Sequence, residues 1–209
     1  MSTVSVATST SPWAGGQSPY ATNSKKFGMW LFIASDCLTF SALLFAYTYS
    51  RVANPDWPKP FHFSPSIIFS SVMTFCLLSS SLTMVMAVHA MNHGNRKAAF
   101  KWILGTMAGG AAFVVLHLSE WMNLINNEGV TPFHNPWDVP LFGATFFALT
   151  GLHMTHVIIG LIYLGIMAQA VIRGKFKYED VEVAGLYWHF VDLVWMFIFP
   201  LVYLMSARI

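Results

Sequence analysis

Charged residues are scarce in this chain. Only 10% of its 209 residues are Asp, Glu, Lys or Arg, whereas soluble domains carry about 25%. Because hydrophobic residues make up 56% of the chain, the composition excludes an ordinary soluble protein and indicates an integral membrane protein. The net charge of +2 is too small to suggest a nucleic-acid partner.

Cysteine is equally scarce. The two cysteines, Cys37 and Cys76, both fall within apolar segments, where a thiol is most simply a small buried side chain. The chain contains no C-x-x-C spacing. Neither thiolate metal binding nor thiol–disulfide exchange is therefore favoured.

What the chain does contain is long apolar segments. Five of them are near or above the ~20 residues that a helix needs to span a bilayer, and they cover about residues 27–50, 67–91, 98–125, 140–172 and 184–206. We therefore predict an all-α, polytopic membrane protein with a single bundle of five transmembrane helices over residues 25–209. Residues 1–24 are rich in small and polar residues and contain no charge, which predicts a disordered or extended tail.

The basic residues predict an orientation. Eight of them fall on one side of the predicted membrane domain: Lys25, Lys26, Arg96, Lys97, Lys101, Arg173, Lys175 and Lys177. Three fall on the other side: Arg51, Lys59 and Arg208. Since short loops rich in Lys and Arg stay in the cytoplasm, we predict a cytoplasmic N-terminus and a C-terminus outside.

Several ionisable side chains lie inside the apolar segments. They are Asp36, His117, Glu120, His153, His156, His189 and Asp192. Such groups are costly in a bilayer and nearly always face a protein interior, where they find partners. They are the candidate site residues, either as members of a proton relay or as structural hydrogen-bonding groups.

Six of these residues form i, i+3 pairs, which share a helix face: His117/Glu120, His153/His156 and His189/Asp192. Carboxylate-bridged di-iron bundles use Glu-x-x-His pairs from facing helices. Carboxylates are too few for such a site, however, and the first and last pairs belong to opposite halves of the membrane. The favoured interpretation is that these groups hydrogen-bond one another and lock the bundle, with no metal site and no catalytic residue in this chain. Haem ligation by His153 and a transport path through Asp36 and the histidines stay open as alternatives.

Asp36 needs a partner from another helix, because its own helix offers it only hydroxyl groups nearby. We predict a hydrogen bond to His153 or His156, with His189 as a further candidate at a similar depth.

Glycine and tryptophan predict packing positions. Gly105 and Gly109 form a G-x-x-x-G pattern, which allows close approach of another helix of the same chain. Trp195 is mid-segment and is predicted to pack inside. Four other tryptophans lie near segment ends and are predicted to face the membrane interfaces: Trp30, Trp121, Trp137 and Trp188.

Four motifs resemble subunit III of the haem–copper terminal oxidases. They are WHFVDLVW at 188–195, TFFALTGLHMTHVIIG at 145–160, LFIASD at 31–36 and the pair Glu120-Trp121. The likeness spans roughly residues 27–205 and takes in all five segments in order. Two features depart from many members: this chain has five helices instead of seven, as the shorter bacterial forms do, and Asp36 stands where mitochondrial-type members have glutamate.

The resemblance implies a non-catalytic subunit of a proton-pumping oxidase in aerobic respiration, located in the bacterial inner membrane. The haems and copper are then expected in subunits I and II, with none bound by this chain, and a small subunit IV is a further candidate partner. Subunit III is expected to stabilise subunit I, hold phospholipid and support proton uptake. Lipid head groups on the inner side would meet Arg96 or Arg173. The expected electron donor is cytochrome c, with quinol as the alternative, since aspartate at position 36 is familiar from quinol oxidases.

Overall fold

A computed structural model of the chain describes residues 24–62 and 66–208. The tail predicted over residues 1–24 therefore lies outside the described residues, apart from Ser24. Five long helices follow in order: α1 (Ser24–Ala53), α2 (Ile68–Asn92), α3 (Arg96–Asn127), α4 (Pro140–Ile172) and α5 (Tyr178–Ile198). All five are long and apolar enough to cross a membrane, which confirms the predicted fold class.

The end of α5 is irregular. The helix continues as a π-helical segment, Phe199–Tyr203, and a 3-10 turn, Leu204–Ser206. Pro200 lies in the π-helical segment and cannot donate a backbone hydrogen bond, which is a common reason for a helix to change its winding. Beyond the turn, strand β2 (Ala207–Arg208) pairs in parallel with strand β1 (Phe61–His62) from the α1–α2 connection.

The start of α5 corrects a predicted boundary. The helix begins at Tyr178, six residues before the predicted start at residue 184. The Lys177 backbone N–H donates to Asp180 Oδ2 at 3.0 Å. Glu179 and Asp180 also place negative charge in the first turn, where the helix dipole favours it. The apolar segment therefore marks the hydrophobic part of α5 and not the start of the helix.

Short turns join the helices at one end of the bundle. Between α2 and α3, Gly94 adopts φ +73°, a left-handed conformation that suits glycine, and Asn95 caps α3 by accepting from the Ala98 backbone N–H at 3.0 Å. Gly174 adopts φ +71° in the α4–α5 turn. These two turns and the N-terminus of α1 form what we call the basic end of the bundle; the other end is the opposite end.

Helix α5 is central, with contacts to α1, α2 and α4, while α3 packs on α2 and α4. Trp188 of α5 is buried, and its ring fills a notch at two glycines. A Cβ added at Gly110 of α3 would lie 2.5 Å from this ring, and one at Gly160 of α4 would lie 3.0 Å from it. The Trp188 indole N–H donates to Ser80 Oγ at 3.0 Å.

The predicted interfacial position of Trp188 is therefore wrong. Because α5 begins at Tyr178, Trp188 lies ten residues inside the helix instead of near its end. The predicted interior position of Trp195 is confirmed, since it is buried and donates to Thr74 Oγ1 at 2.9 Å. The predicted role of the G-x-x-x-G pattern is also confirmed, because a Cβ at Gly109 would lie 2.7 Å from Ser80 Cβ of α2.

Candidate functional site

Asp36 of α1 meets His156 of α4. Its Oδ2 lies 3.1 Å from His156 Nε2, so one of the two partners expected from the sequence is the observed one. The other ring nitrogen, Nδ1, lies 2.9 Å from the Leu152 carbonyl oxygen. Both side chains are largely buried, with 18% and 14% exposure.

The geometry of this contact requires a proton between the two side chains. A backbone carbonyl can only accept, so His156 Nδ1 must carry a hydrogen to bond Leu152. His156 Nε2 then either donates to an ionised Asp36, with the ring as imidazolium, or accepts from a protonated Asp36. The contact is therefore either an ion pair or a neutral hydrogen bond. The two forms differ only in whether the proton resides on His156 or on Asp36.

Glu120 of α3 is held at the opposite end. Ser70 Oγ of α2 donates to Glu120 Oε1 at 2.8 Å, and the Tyr203 hydroxyl donates to Oε2 at 2.9 Å. The carboxyl group thereby joins α2, α3 and the irregular end of α5. Its i, i+3 neighbour His117 is not its partner, so the prediction that these ionisable groups hydrogen-bond one another is wrong for Glu120 and His117.

His117 and His153 lie deepest in the bundle. Both are fully buried, and neither has a hydrogen-bond partner for its ring nitrogens among the residues that the structure describes. Aromatic rings surround them: Trp195 has its ring centre 5.5 Å from that of His117 and 5.1 Å from that of His153. Phe113 lies 5.5 and 5.7 Å away from the same two rings. These aromatic rings are the immediate environment of both imidazoles. Their π faces can accept an imidazole N–H only weakly.

His189 and Asp192 of α5 lie beside α2. His189 Nδ1 is 2.6 Å from Ser81 Oγ. Asp192 is buried, and its Oδ1 has no hydrogen-bond partner within the described part of the chain. Sequence reasoning missed Ser70, Ser81 and Tyr203 as partners of these groups, because hydroxyl residues are too common in apolar segments to single out.

Arg96 and Arg173 both lie at the basic end. A Cβ at Gly174 would lie 2.6 Å from Arg96 Nη1, so the guanidinium group covers the backbone of the α4–α5 turn. Gly174 follows Arg173 in the chain, and both arginine side chains are exposed.

The ionisable candidates form separate contacts and do not converge on one point. Within residues 24–62 and 66–208, no three His, Cys, Asp or Glu side chains are grouped so that they could hold a metal ion. The structure thus brings Asp36 to His156, His189 to Ser81 and Glu120 to Tyr203, each pair at a different interface between helices.

Comparison with known proteins shows what the bundle is. The family model described as "Cytochrome c oxidase subunit III" matches residues 6–207. The chain belongs to the cytochrome c oxidase subunit III family.

Its curated relatives in this family carry two kinds of name. Quinol oxidase subunit 3 of Bacillus subtilis is 36% identical over 184 residues, which cover 86% of each chain. Cytochrome c oxidase subunit 3 of Alkalihalophilus pseudofirmus is 32% identical over 188 residues and 88% of each chain. Cytochrome bo(3) ubiquinol oxidase subunit 3 of Pseudomonas aeruginosa is 33% identical over 187 residues, 87% of this chain and 85% of its own.

The residues that carry the family resemblance also hold the helices together. Trp188 and Trp195 of the α5 motif donate to hydroxyl groups of α2. Asp36 of the α1 motif and His156 of the α4 motif meet across the α1–α4 interface. The family motifs therefore coincide with contacts between helices.

Proposed function

We propose that this family member is the non-catalytic third subunit of a proton-pumping haem–copper terminal oxidase in a bacterial inner membrane. The observation that carries the proposal is the family match over residues 6–207. In this proposal the haems and copper lie in subunits I and II, where oxygen is reduced. The scattered placement of the ionisable side chains supports it, since Glu120, His189 and Asp36 are engaged at different helix interfaces.

The subunit's role is to stabilise subunit I and to sustain proton uptake. Its outer faces are apolar: Leu38, Phe45 and Val52 of α1 are all exposed on the bundle. Large apolar side chains at the periphery suit lipid tails and the helices of a membrane partner.

Purification tests this proposal directly. An affinity tag on this chain should recover a larger haem-bearing subunit, and the recovered complex should consume oxygen. Optical spectra and metal analysis of the separated chain are the control, because they detect haem or metal bound by the chain itself. Recovery of a haem-free chain with its own redox or transport activity, and with no oxidase, would contradict the proposal.

The proposed orientation places the basic end in the cytoplasm. Support comes from the eight Lys and Arg residues there against three at the opposite end. A reporter active only in the cytoplasm should give a signal when fused in the α4–α5 turn and none when fused after Val130. The reverse pattern would overturn the orientation.

The basic end also suits an anionic phospholipid. Arg96 and Arg173 are both exposed at this end, and guanidinium groups bind phosphate oxygens in a bidentate manner. In the purified complex, Arg96→Gln combined with Arg173→Gln should lower the amount of co-purifying anionic lipid. Lys59→Gln, at an exposed position of the opposite end, is the control. Equal lipid content in all three preparations would remove these arginines as the binding site.

Cytochrome c is the proposed electron donor, and quinol is a second candidate. The names of the relatives favour neither donor. Quinol oxidase subunits of Bacillus and the cytochrome c oxidase subunit of Alkalihalophilus pseudofirmus match the chain over comparable lengths. The purified complex should oxidise reduced cytochrome c and should not need added quinol. Turnover with quinol alone would establish the second candidate.

A further inference from the structure

A cavity opens along the seam between α2 and α5 at the basic end. It has a volume of about 320 Å³, room for several water molecules at ~30 Å³ each. Its lining is mixed: Val85, Val88 and Leu186 supply apolar walls, while His89, Glu182 and His189 supply ionisable groups.

The ionisable groups on the α5 side form a line into the bundle. Glu182, His189 and Asp192 are spaced by seven and three residues, so they share one face of the helix. At ~1.5 Å per residue, His189 lies about 10 Å and Asp192 about 15 Å along the helix from Glu182. Glu182 is at the mouth, where Lys26 of α1 binds its Oε1 at 2.7 Å.

Ser81 of α2 links the inner members of this line. Its Oγ is 2.6 Å from His189 Nδ1, and the same hydroxyl group lies near the Asp192 carboxyl group. A hydroxyl group can accept one hydrogen bond while it donates another. Because Nδ1 is engaged by Ser81, Nε2 is the ring nitrogen that His189 can turn to the cavity.

Asp192 ends the line with an open hydrogen-bonding position. It is buried, and its Oδ1 lacks a partner among residues 24–62 and 66–208. A buried carboxyl oxygen without a hydrogen bond is costly, so this position favours a proton or a water molecule.

We propose that the α2–α5 seam is a hydrated proton inlet that leads from the basic end to Asp192. Water in the cavity gives a proton to His189 Nε2, the Nδ1 proton passes to Ser81 Oγ, and the Ser81 hydroxyl proton passes to the Asp192 carboxylate. One proton enters and one proton arrives, and His189 is left with its hydrogen on Nε2. To reset, the ring turns Nδ1 to the cavity, where water supplies a proton to Nδ1 and takes one from Nε2, so the delivered proton stays on Asp192. The use of the inlet in proton uptake rests on the proposed function of the subunit. The hydration of the seam does not depend on that function.

The other charged groups packed around α5 leave this line separate. From α1, Lys26 is paired with Glu182 at the mouth, and Asp36 is paired with His156 of α4 on another interface. From α2, His89 lines the cavity. The proposed inlet is thus distinct from the Asp36–His156 contact.

Hydration is tested by cysteine accessibility in membrane vesicles from cells that contain the protein. In a background with Cys37 and Cys76 replaced by Ala, Val85→Cys places a thiol in the cavity wall. Met86→Cys places one at the adjacent level of α2, similarly exposed but outside the lining (41% against 49% for Val85). A hydrophilic thiol reagent added to vesicles from the side of the basic end should label only the Val85→Cys variant. Absence of labelling in both variants, or equal labelling of both, would overturn the inlet.

Proton delivery is tested with two variants and a control. Asp192→Asn keeps the size of the side chain and removes the proton acceptor, and Ser81→Ala removes the link. Both should slow proton uptake from the basic side during turnover in oriented vesicles, while the amount of assembled complex is unchanged. Ser71→Ala is the control, because its hydroxyl bonds only the Ile67 carbonyl of its own helix.

The outcomes separate the inlet from the proposed function. If the complex consumes oxygen and proton uptake is the same in every variant, the inlet is refuted and the proposed function stands. If no oxidase is recovered with the chain, the proposed function fails, and the labelling result still decides whether the seam is hydrated. If Asp192→Asn does not assemble, Ser81→Ala decides: normal uptake in that variant refutes the relay.

Discussion

Helices α1 and α5 are both apolar enough to span a membrane, yet they are placed very differently. Helix α1 buries four of its 30 residues, and three of them, Ile33, Phe40 and Tyr47, recur every seven positions. Helix α5 buries twelve of its 21 residues. One is a peripheral helix with a narrow contact stripe, and the other is the centre of the bundle.

The difference shows what fixes a helix inside a membrane bundle. Helix α5 is held by large rings in notches of small residues and by indole N–H groups that find hydroxyl partners on α2. Helix α1 is held near its middle by Asp36–His156, and at its two ends by ion pairs and by Tyr47 bonding Ser206. Because lipid tails are as apolar as the side chains, close packing and hydrogen bonds decide position more than hydropathy does.

The largest expected effect comes from filling the notch at Gly110 of α3, into which the Trp188 ring of α5 packs. Gly110→Ala should destabilise the bundle by about 3 kcal/mol, because the added Cβ meets the rigid Trp188 ring and forces it to move. Gly105→Ala, on the same helix, is the control, since its Cβ would make only ordinary contacts with Thr83 from 3.7 Å outward. Thermal unfolding in detergent measures both. Equal stability of the two variants would show that the notch does not fix α5.

Removing the hydroxyl partners of the two indoles should have the next effect. Thr74→Val and Ser80→Ala should each cost about 2 kcal/mol, because each leaves a buried indole N–H without an acceptor. The comparison is Thr39→Val on α1, where the exposed hydroxyl bonds only the Ser35 carbonyl of its own helix. We expect that variant to unfold like the unmodified chain. If Thr39→Val lowered stability as much as Thr74→Val and Ser80→Ala do, the difference drawn between α1 and α5 would be refuted.

Loss of the polar contact of α1 should cost less. Asp36→Ala should destabilise the bundle by about 1 kcal/mol, since it leaves His156 Nε2 without its partner at a largely buried site that is still more exposed than the two indoles. Oxygen reduction should start at the normal rate, and activity should decline faster during turnover. Asp36→Asn is the control, because its amide still reaches His156. Complete loss of the initial rate in an assembled Asp36→Ala complex would make Asp36 a required catalytic group.

The smallest effect is expected at the ion pairs of the basic end. Lys26→Gln removes a partly exposed pair with Glu182, and exposed pairs contribute little and are screened by salt. The unfolding temperature should fall slightly at low ionic strength and match the unmodified chain at high ionic strength. Lys101→Gln, at another exposed position of the same end, provides the comparison. A deficit that persists at high salt would mean that this pair does more than join two charges.

The sequence was sufficient for the number of helices and for several of their bounds. Length and hydropathy set these, because a bilayer demands about 20 apolar residues with satisfied backbone bonds. Helix α4 begins and ends where predicted, at 140 and 172. The same reasoning placed the start of α5 too late, because its first turn is charged and is stabilised by capping instead of by hydrophobicity.

Residue chemistry also predicted that Asp36 would need a partner on another helix, and His156 supplies it. The sequence by itself thus determined how many times the chain crosses, which family it resembles and which buried groups require partners, since each follows from local composition and motif. Only the tertiary structure decided which partner each group receives. The pairs His117/Glu120 and His189/Asp192 each share a helix face, but Glu120 reaches Ser70 and Tyr203, and His189 reaches Ser81. Those choices depend on the rotation and spacing of neighbouring helices, and notches such as Gly110 and Gly160 set that spacing through contacts far apart in the chain.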